Sequence, residues 1–194
     1  FFFSVFFLFL KIYYNNVTRI IMYKSKIIKI SVVVSILFFS VIFYEESQSK
    51  ELAKFKDWKA FSEGEGNNKA CMAVSKPKKD EGNYKKRGEI FAIVTHLPGQ
   101  DKFDEFSIVA GYNYKPGSNP SIQIGDMKFQ LFTSGSRAWS FSVSEDLKII
   151  NAMKTSLKLS VIGTSSRGTI TTDTYSLLGF TKAYQKINEA CQKK

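Results

Sequence analysis

The stretch "LKLSVIGTSSRGTITTDTYSLLGF", Leu157 to Phe180, decides the fold. Two runs rich in β-branched and alternating residues, Leu157 to Thr164 and Thr169 to Leu178, flank "SSRG", with Gly168 supplying the backbone freedom of a turn. That is a β-hairpin pattern. Alternation puts Thr169, Thr171, Asp173, Tyr175 and Leu177 on one face of the second run and Ile170, Thr172, Thr174, Ser176 and Leu178 on the other, so both faces are half polar. A structural hairpin, with Asp173 paired to Arg167 or to a Lys of a neighbouring strand, produces such a pattern. So does a polar ligand-binding strand with Ser166 and Arg167 exposed at the turn. The expectation is architecture first and recognition second: a central strand whose Thr and Tyr side chains hydrogen-bond to neighbours, with Ser166, Arg167 and Asp173 as candidate binding residues.

Beyond the hairpin, Phe180, Ala183, Tyr184, Ile187 and Cys191 fall at i, i+3, i+4, i+7 and i+11, with Lys182, Gln185, Lys186 and Glu189 opposite. This spacing predicts an amphipathic helix near 180–191 that packs on a sheet. Before the hairpin, Ser144 followed by Glu145 and Asp146 reads as an N-cap with acids in the first turn, and Leu147, Ile150 and Met153 continue a short helix near 144–154. Everything earlier reads as strand. "FKDWKAFS" and "KACMAVS" are two short strands around "EGEGNN". Glu89–Leu97 and Glu105–Tyr112 are long central strands joined by "PGQDKFD", and "PGSNPSIQIGDMKFQLFTSGSRAW" gives two shorter ones pivoting on Gly125 and Asp126, then a turn at Ser134 to Ser136. The sum is a mainly β domain, an antiparallel β-sandwich or partly closed barrel with two short helices; no alternation of strand and helix points to a parallel α/β fold.

Between the early strands lies "KPKKDEGNYKKRG", with six basic and two acidic residues and no apolar periodicity. It reads as a solvated loop and is the strongest positive patch of the chain. Lys76, Lys78, Lys79, Lys85, Lys86 and Arg87 are therefore candidate binding residues for an anionic surface, although a charged loop with no partner would look the same.

The first methionine is Met22. It opens a segment with Lys24, Lys26 and Lys29, a mostly apolar run of 14 residues from Ile30 to Phe43, and Ser47 and Ser49 at −3 and −1 of a cut before Lys50. Those are the three parts of a cleavable export signal, and the apolar run is short of the roughly 20 residues a spanning helix needs. The expected organisation is a spurious N-terminal extension over 1–21, a signal peptide over 22–49 and a single domain over 50–194, with no stable transmembrane span in the mature protein. Residues 50–194 keep 23 basic and 15 acidic residues, a net +8. For an exported protein that charge points to an envelope component, an anionic surface polymer or a host-cell surface rather than to nucleic acid.

An enzyme reading would draw on Ser165 or Ser166, His96 and Asp173, but nothing in their spacing supports it. There is no Gly-x-Ser-x-Gly turn and no Gly-rich phosphate loop. One His and two Cys give zinc nothing to bind. No catalytic, metal-binding or cofactor-binding residue is expected. In an oxidising compartment, Cys71 and Cys191 are expected to form one disulfide that ties the second strand to the C-terminal helix.

Taken in order, "DWKAFS", "ACMAVSKP", "RGEIFAIVTHLP", "SIVAGYNY", "KFQLFTSGSRAW", "GTSSRGTITTDTYSLLGF" and a terminal "AC" resemble the invasion-associated locus B family of exported alphaproteobacterial proteins, from Asp57 to Cys191. The resemblance implies a periplasmic or envelope-associated protein and carries over no catalytic residue. The family name implies a role in host-cell invasion, so an adhesin or invasion factor is the alternative to an envelope-binding protein, with a hydrolase a remote third. Many relatives carry a Cys four residues after the motif Trp, able to pair with the counterpart of Cys71. This chain has Ser62 there, and it is most similar to the subset with a Cys at the C-terminus.

Overall fold

The computed structural model describes residues 49–193. The extension expected over 1–21 and, but for Ser49, the export signal expected over 22–49 lie outside the described residues. Twelve strands form two antiparallel sheets, and no barrel closes among the described residues. The first sheet contains β1 (Lys50–Phe55), β2 (Trp58–Glu63), β3 (Ala70–Ser75), β5 (Phe91–Leu97), β6 (Lys102–Val109), β10 (Arg137–Trp139) and β9 (Phe132–Ser134), in that spatial order. The second contains β4 (Lys79–Gly82), β12 (Ile170–Ser176), β11 (Lys158–Thr164), β7 (Ser121–Ile124) and β8 (Met127–Gln130). Among the described residues two α-helices complete the fold, α1 (Val143–Thr155) and α2 (Phe180–Ala190).

Strand pairing aligns Ala60, Ala73, Val94 and Phe106 across one face of the first sheet, with Ala92 and Ile108 one row along. All six are fully buried. The alanines leave a shallow trough into which α2 settles with Phe180, Ala183, Tyr184 and Ile187 inward. Trp58 packs edge-on against Phe180 at 4.8 Å, and its indole N–H donates to the Ser176 carbonyl at 2.9 Å. One core takes Trp58 and Phe106 from the first sheet, Ile122, Leu159 and Tyr175 from the second, and both helices. Each such large apolar side chain stabilises by about 1.5–3 kcal/mol when fully buried. The turn into α2 needs Gly179: φ is +92°, and a Cβ there would lie 1.9 Å from the Phe55 carbonyl oxygen.

The expected hairpin is present as β11 and β12, and β12 lies inside the second sheet between β11 and β4. Four local expectations are corrected. "FKDWKAFS" is not one strand, because Lys56 takes a left-handed φ of +54° and turns the chain from β1 into β2. The short helix starts two residues earlier than expected: Ser142, not Ser144, caps it by accepting from the Glu145 N–H. Leu147 is 42% exposed, and the buried stripe runs through Asp146, Ile149, Ile150 and Met153. There the Asp146 carboxylate accepts from the Phe106 N–H at 2.9 Å and from the Ser140 hydroxyl at 2.6 Å, tying α1 to β6. Finally, Tyr175 is buried and its hydroxyl has no hydrogen-bond partner among the described residues, against the expectation that the strand's Tyr would have one. No described helix is long and apolar enough to cross a membrane.

Cys71 and Cys191 are bonded, with Cα atoms 6.0 Å apart. Cys191 follows the last turn of α2, and the bond fastens that helix to β3 as expected. Ser62 stands directly opposite Cys71 in the β2–β3 register, which is where the resemblance places the alternative partner.

Candidate functional site

The charged segment is not wholly a solvated loop. Lys79–Gly82 is the edge strand β4, paired with β12, and Arg87 turns inward. Its two terminal nitrogens donate to the Asp173 carboxylate at 2.6 Å each, and its Nε donates to the Ala110 carbonyl at 2.7 Å. The Arg87 and Asp173 side chains are only 4% and 2% exposed. Arg87, rather than Arg167 or a strand Lys, is therefore the partner of Asp173. Burial pushes the Asp173 carboxyl up while Arg87 pulls it back; burial opposes the Arg87 charge, but the carboxylate beside it raises its pKa overall. The guanidinium also lies over the Tyr112 ring at 4.8 Å and near the Tyr84 ring at 5.6 Å.

Above this pair opens a cleft of about 770 Å³. Its walls are the 83–88 segment, the 111–113 segment that follows β6, and the 165–169 turn of the hairpin. The first two are held together at Gly88 and Gly111. The Gly88 N–H donates to the Gly111 carbonyl at 2.9 Å, and a Cβ on Gly111 would come within 2.5 Å of the Gly88 carbonyl oxygen. The Ser166 N–H donates to the Asn113 carbonyl at 2.7 Å and fixes the third wall to the second. The turn itself is closed by the Gly168 N–H on the Ser165 carbonyl and the Thr169 N–H on the Ser165 hydroxyl, at 2.8 and 3.1 Å. Ser166 and Arg167 are exposed there, as expected.

Six of the expected binding residues thus meet in one place: Lys85, Lys86, Arg87, Ser166 and Arg167 line the cleft, with Asp173 beneath, paired to Arg87. Among the described residues, no Asp or Glu lines it. Lys76 and Lys78 belong to a neighbouring cleft, and Lys79 sits on β4 with Glu81 at 2.7 Å, lining neither. Asn83, Tyr84, Tyr112 and Asn113 also line the cleft and were not singled out from sequence. Their signal was present in "NYKKRG" and "GYNY", where tyrosine and asparagine flank basic or glycine residues.

The residues of the enzyme reading are not assembled. Arg87 reaches Ala110, beside the Phe91 end of β5, whereas His96 lies five residues along β5, roughly 17 Å away at about 3.3 Å per residue. His96 is fully buried; its Nδ1 accepts from the Asp104 N–H at 3.0 Å, which leaves Nε2 to donate to Asn188 at 2.7 Å. Burial lowers its pKa, and neither nitrogen is open to a substrate proton. Among the described residues, no three His, Cys, Asp or Glu side chains converge as a metal site.

No curated protein and no solved structure matches this chain. The family model described as Invasion associated locus B (IalB) protein matches residues 58–188, from the buried Trp58 to the His96 partner Asn188, and the chain belongs to that family.

Proposed function

We propose that this chain is an exported, non-catalytic envelope protein that binds an anionic component of the envelope through the cleft of Lys85, Lys86 and Arg167. The observation that carries the reading is the lining itself: among the described residues it has four cations, Lys85, Lys86, Arg87 and Arg167, and no carboxylate, with Arg87 paired to Asp173 beneath, on walls held by backbone hydrogen bonds. Fixed positive charge in a concave, partly apolar site attracts anions more strongly than the same charge spread over a flat surface. A disulfide between strand and helix supports residence in an oxidising compartment, and the export pattern before Lys50 supports the route there. The engagement of both His96 nitrogens supports the non-catalytic part.

Purified mature protein should be retained on immobilised dextran sulfate and released by moderate salt, because exposed charges are screened beyond about 8 Å at physiological ionic strength. Lys85→Ser, Lys86→Ser and Arg167→Ser together should strongly weaken retention, so that elution shifts to lower salt; unchanged retention would sink the proposal. N-terminal sequencing should find Lys50 or a residue close by. The family's description favours a second reading, an adhesin that contacts host cells. Protease added to intact cells separates the two, since an adhesin is digested and a periplasmic protein survives.

A further inference from the structure

We infer that the anionic component is a linear acidic polysaccharide laid across two neighbouring basic clefts; this deepens the function proposed above and rests on it. The second cleft, of about 400 Å³, is lined by Lys54, Lys56, Lys59, Lys76 and Lys78 against a single acid, Asp57. Three of these lysines form ion pairs, Lys59 with Glu51, Lys76 with Glu89 and Lys78 with Asp57. All three lysine side chains are at least 44% exposed, and such pairs are worth at most about 1 kcal/mol, so a denser polyanion displaces them readily.

The two clefts are neighbours through the chain itself. Gly88 lines the first and Phe91 the second, three residues apart and hence within about 11 Å at full extension of about 3.6 Å per residue. The same segment supplies Lys78 to one and Asn83 to the other, on either side of β4. A ligand with one charge fills one cleft. A chain with charges repeated along its length fills both, and the second contact then forms at high effective concentration.

The lining favours sugars over other polyanions. Tyr84 and Tyr112 in one cleft and Phe61 and Phe91 in the other offer apolar surface to the C–H faces of sugar rings. Asn83, Asn113, Ser166 and Thr169 offer donors and acceptors to ring hydroxyls. Single-stranded nucleic acid also stacks on aromatic rings, so the choice rests on the amides and hydroxyls of Asn83, Asn113, Ser166 and Thr169, which match ring hydroxyls, and oligothymidylate is the comparator in the test. A lipid surface is flat, whereas Lys85, Lys86 and Arg167 line a concavity.

The test is calorimetry of the mature protein with oligogalacturonates from dimer to decamer, neutral maltooligosaccharides, oligothymidylate and phosphatidylglycerol vesicles. Affinity for oligogalacturonate should rise at least tenfold from dimer to decamer, with no binding of the neutral series. Lys54→Ser, Lys56→Asn and Lys78→Ser together should remove the gain with length and leave the dimer unchanged; Asn is chosen because residue 56 has a left-handed φ. Lys85→Ser, Lys86→Ser and Arg167→Ser should weaken every length. A length-independent affinity, or a length gain that survives the triple change at 54, 56 and 78, overturns the two-cleft inference and leaves the anion-binding function standing. Binding of oligothymidylate or vesicles without oligogalacturonate overturns the choice of polysaccharide. If no anionic probe binds, the proposed function fails as well. Equal urea midpoints for all variants establish that each is folded.

Discussion

At the Leu97 end of β5, the Asp104 N–H donates to His96, His96 donates to Asn188, and the Asp104 carboxylate accepts from Tyr184 and Lys193. The Cys71–Cys191 bond closes over the same end. Past the Phe91 end, Lys85, Lys86 and Arg167 face an open cleft whose lining, among the described residues, holds no acid. Both clusters hold residue types that carry chemistry, and the first holds the chain's only histidine. The difference is in what remains open to a ligand. Polar atoms satisfied inside the protein fix the fold, while those left facing a cavity are available for recognition. Residue type alone would have ranked the two ends the other way round.

The heaviest blow to this contrast falls on the closed end. Replacing both cysteines, Cys71→Ser with Cys191→Ser, opens a loop whose ends are 120 residues apart, and by the chain-entropy account should cost about 4 to 5 kcal/mol. Urea midpoints measure it, and unfolded, unreduced wild-type protein should show no free thiol.

Next comes Arg87, which belongs with the closed cluster although it lies beneath the open one. Arg87→Ala strands a buried Asp173 and should cost about 3 kcal/mol, whereas Arg87→Met with Asp173→Leu should recover most of that. If Arg87→Ala proves neutral in denaturant melts, the pair is not the structural floor of the cleft.

A smaller effect tests the histidine by pH. Burial lowers the folded pKa of His96, so the unfolded chain binds its proton first. The stability His96 contributes is full above its unfolded value of about 6.5 and declines as pH falls below it, by at most about 1.4 kcal/mol per pH unit. Asp146 and Asp173, raised by burial, act in the opposite sense at lower pH. The comparison is therefore wild type against His96→Gln between pH 7 and 5, where the variant's stability should be the flatter. The smallest change in stability belongs to the open end: Lys85→Ser, Lys86→Ser and Arg167→Ser should stay within about 0.5 kcal/mol of wild type while strongly weakening anion retention. A large loss of stability there would make the cleft structural and dissolve the contrast.

Much of this was legible in the sequence. The hairpin, the C-terminal helix and the disulfide follow from local alternation, helical spacing and the cysteine count. What stayed hidden depends on tertiary placement. "KKRG" gives no sign that Lys85 and Lys86 are exposed while Arg87 is buried, because the carboxylate that draws Arg87 inward lies 86 residues later in the chain. The cap moved from Ser144 to Ser142 because Asp146 is needed inside, on the Phe106 N–H and the Ser140 hydroxyl, and not at the solvent side of the first turn. The turn at Lys56 escaped notice for want of Gly, Asn or Asp at the left-handed position, the usual mark of such a bend. Of the candidate site, the cations and the hairpin turn were readable one by one; their convergence on one cleft required the pairing of β4 with β12.

The separation of the two cysteines also sets a clock. At roughly 5–20 residues per second, the 120 residues between Cys71 and Cys191 take about 6 to 24 s to synthesise, and through that interval Cys71 is a thiol without its partner. Many proteins with several cysteines can use such a delay to form a short-range bond that must later be undone. Here the position across the strand from Cys71 is Ser62, and the chain has no third cysteine. The intramolecular bond that its two cysteines can make is the one that ends with α2 fastened to β3, so it forms only after α2 has been synthesised.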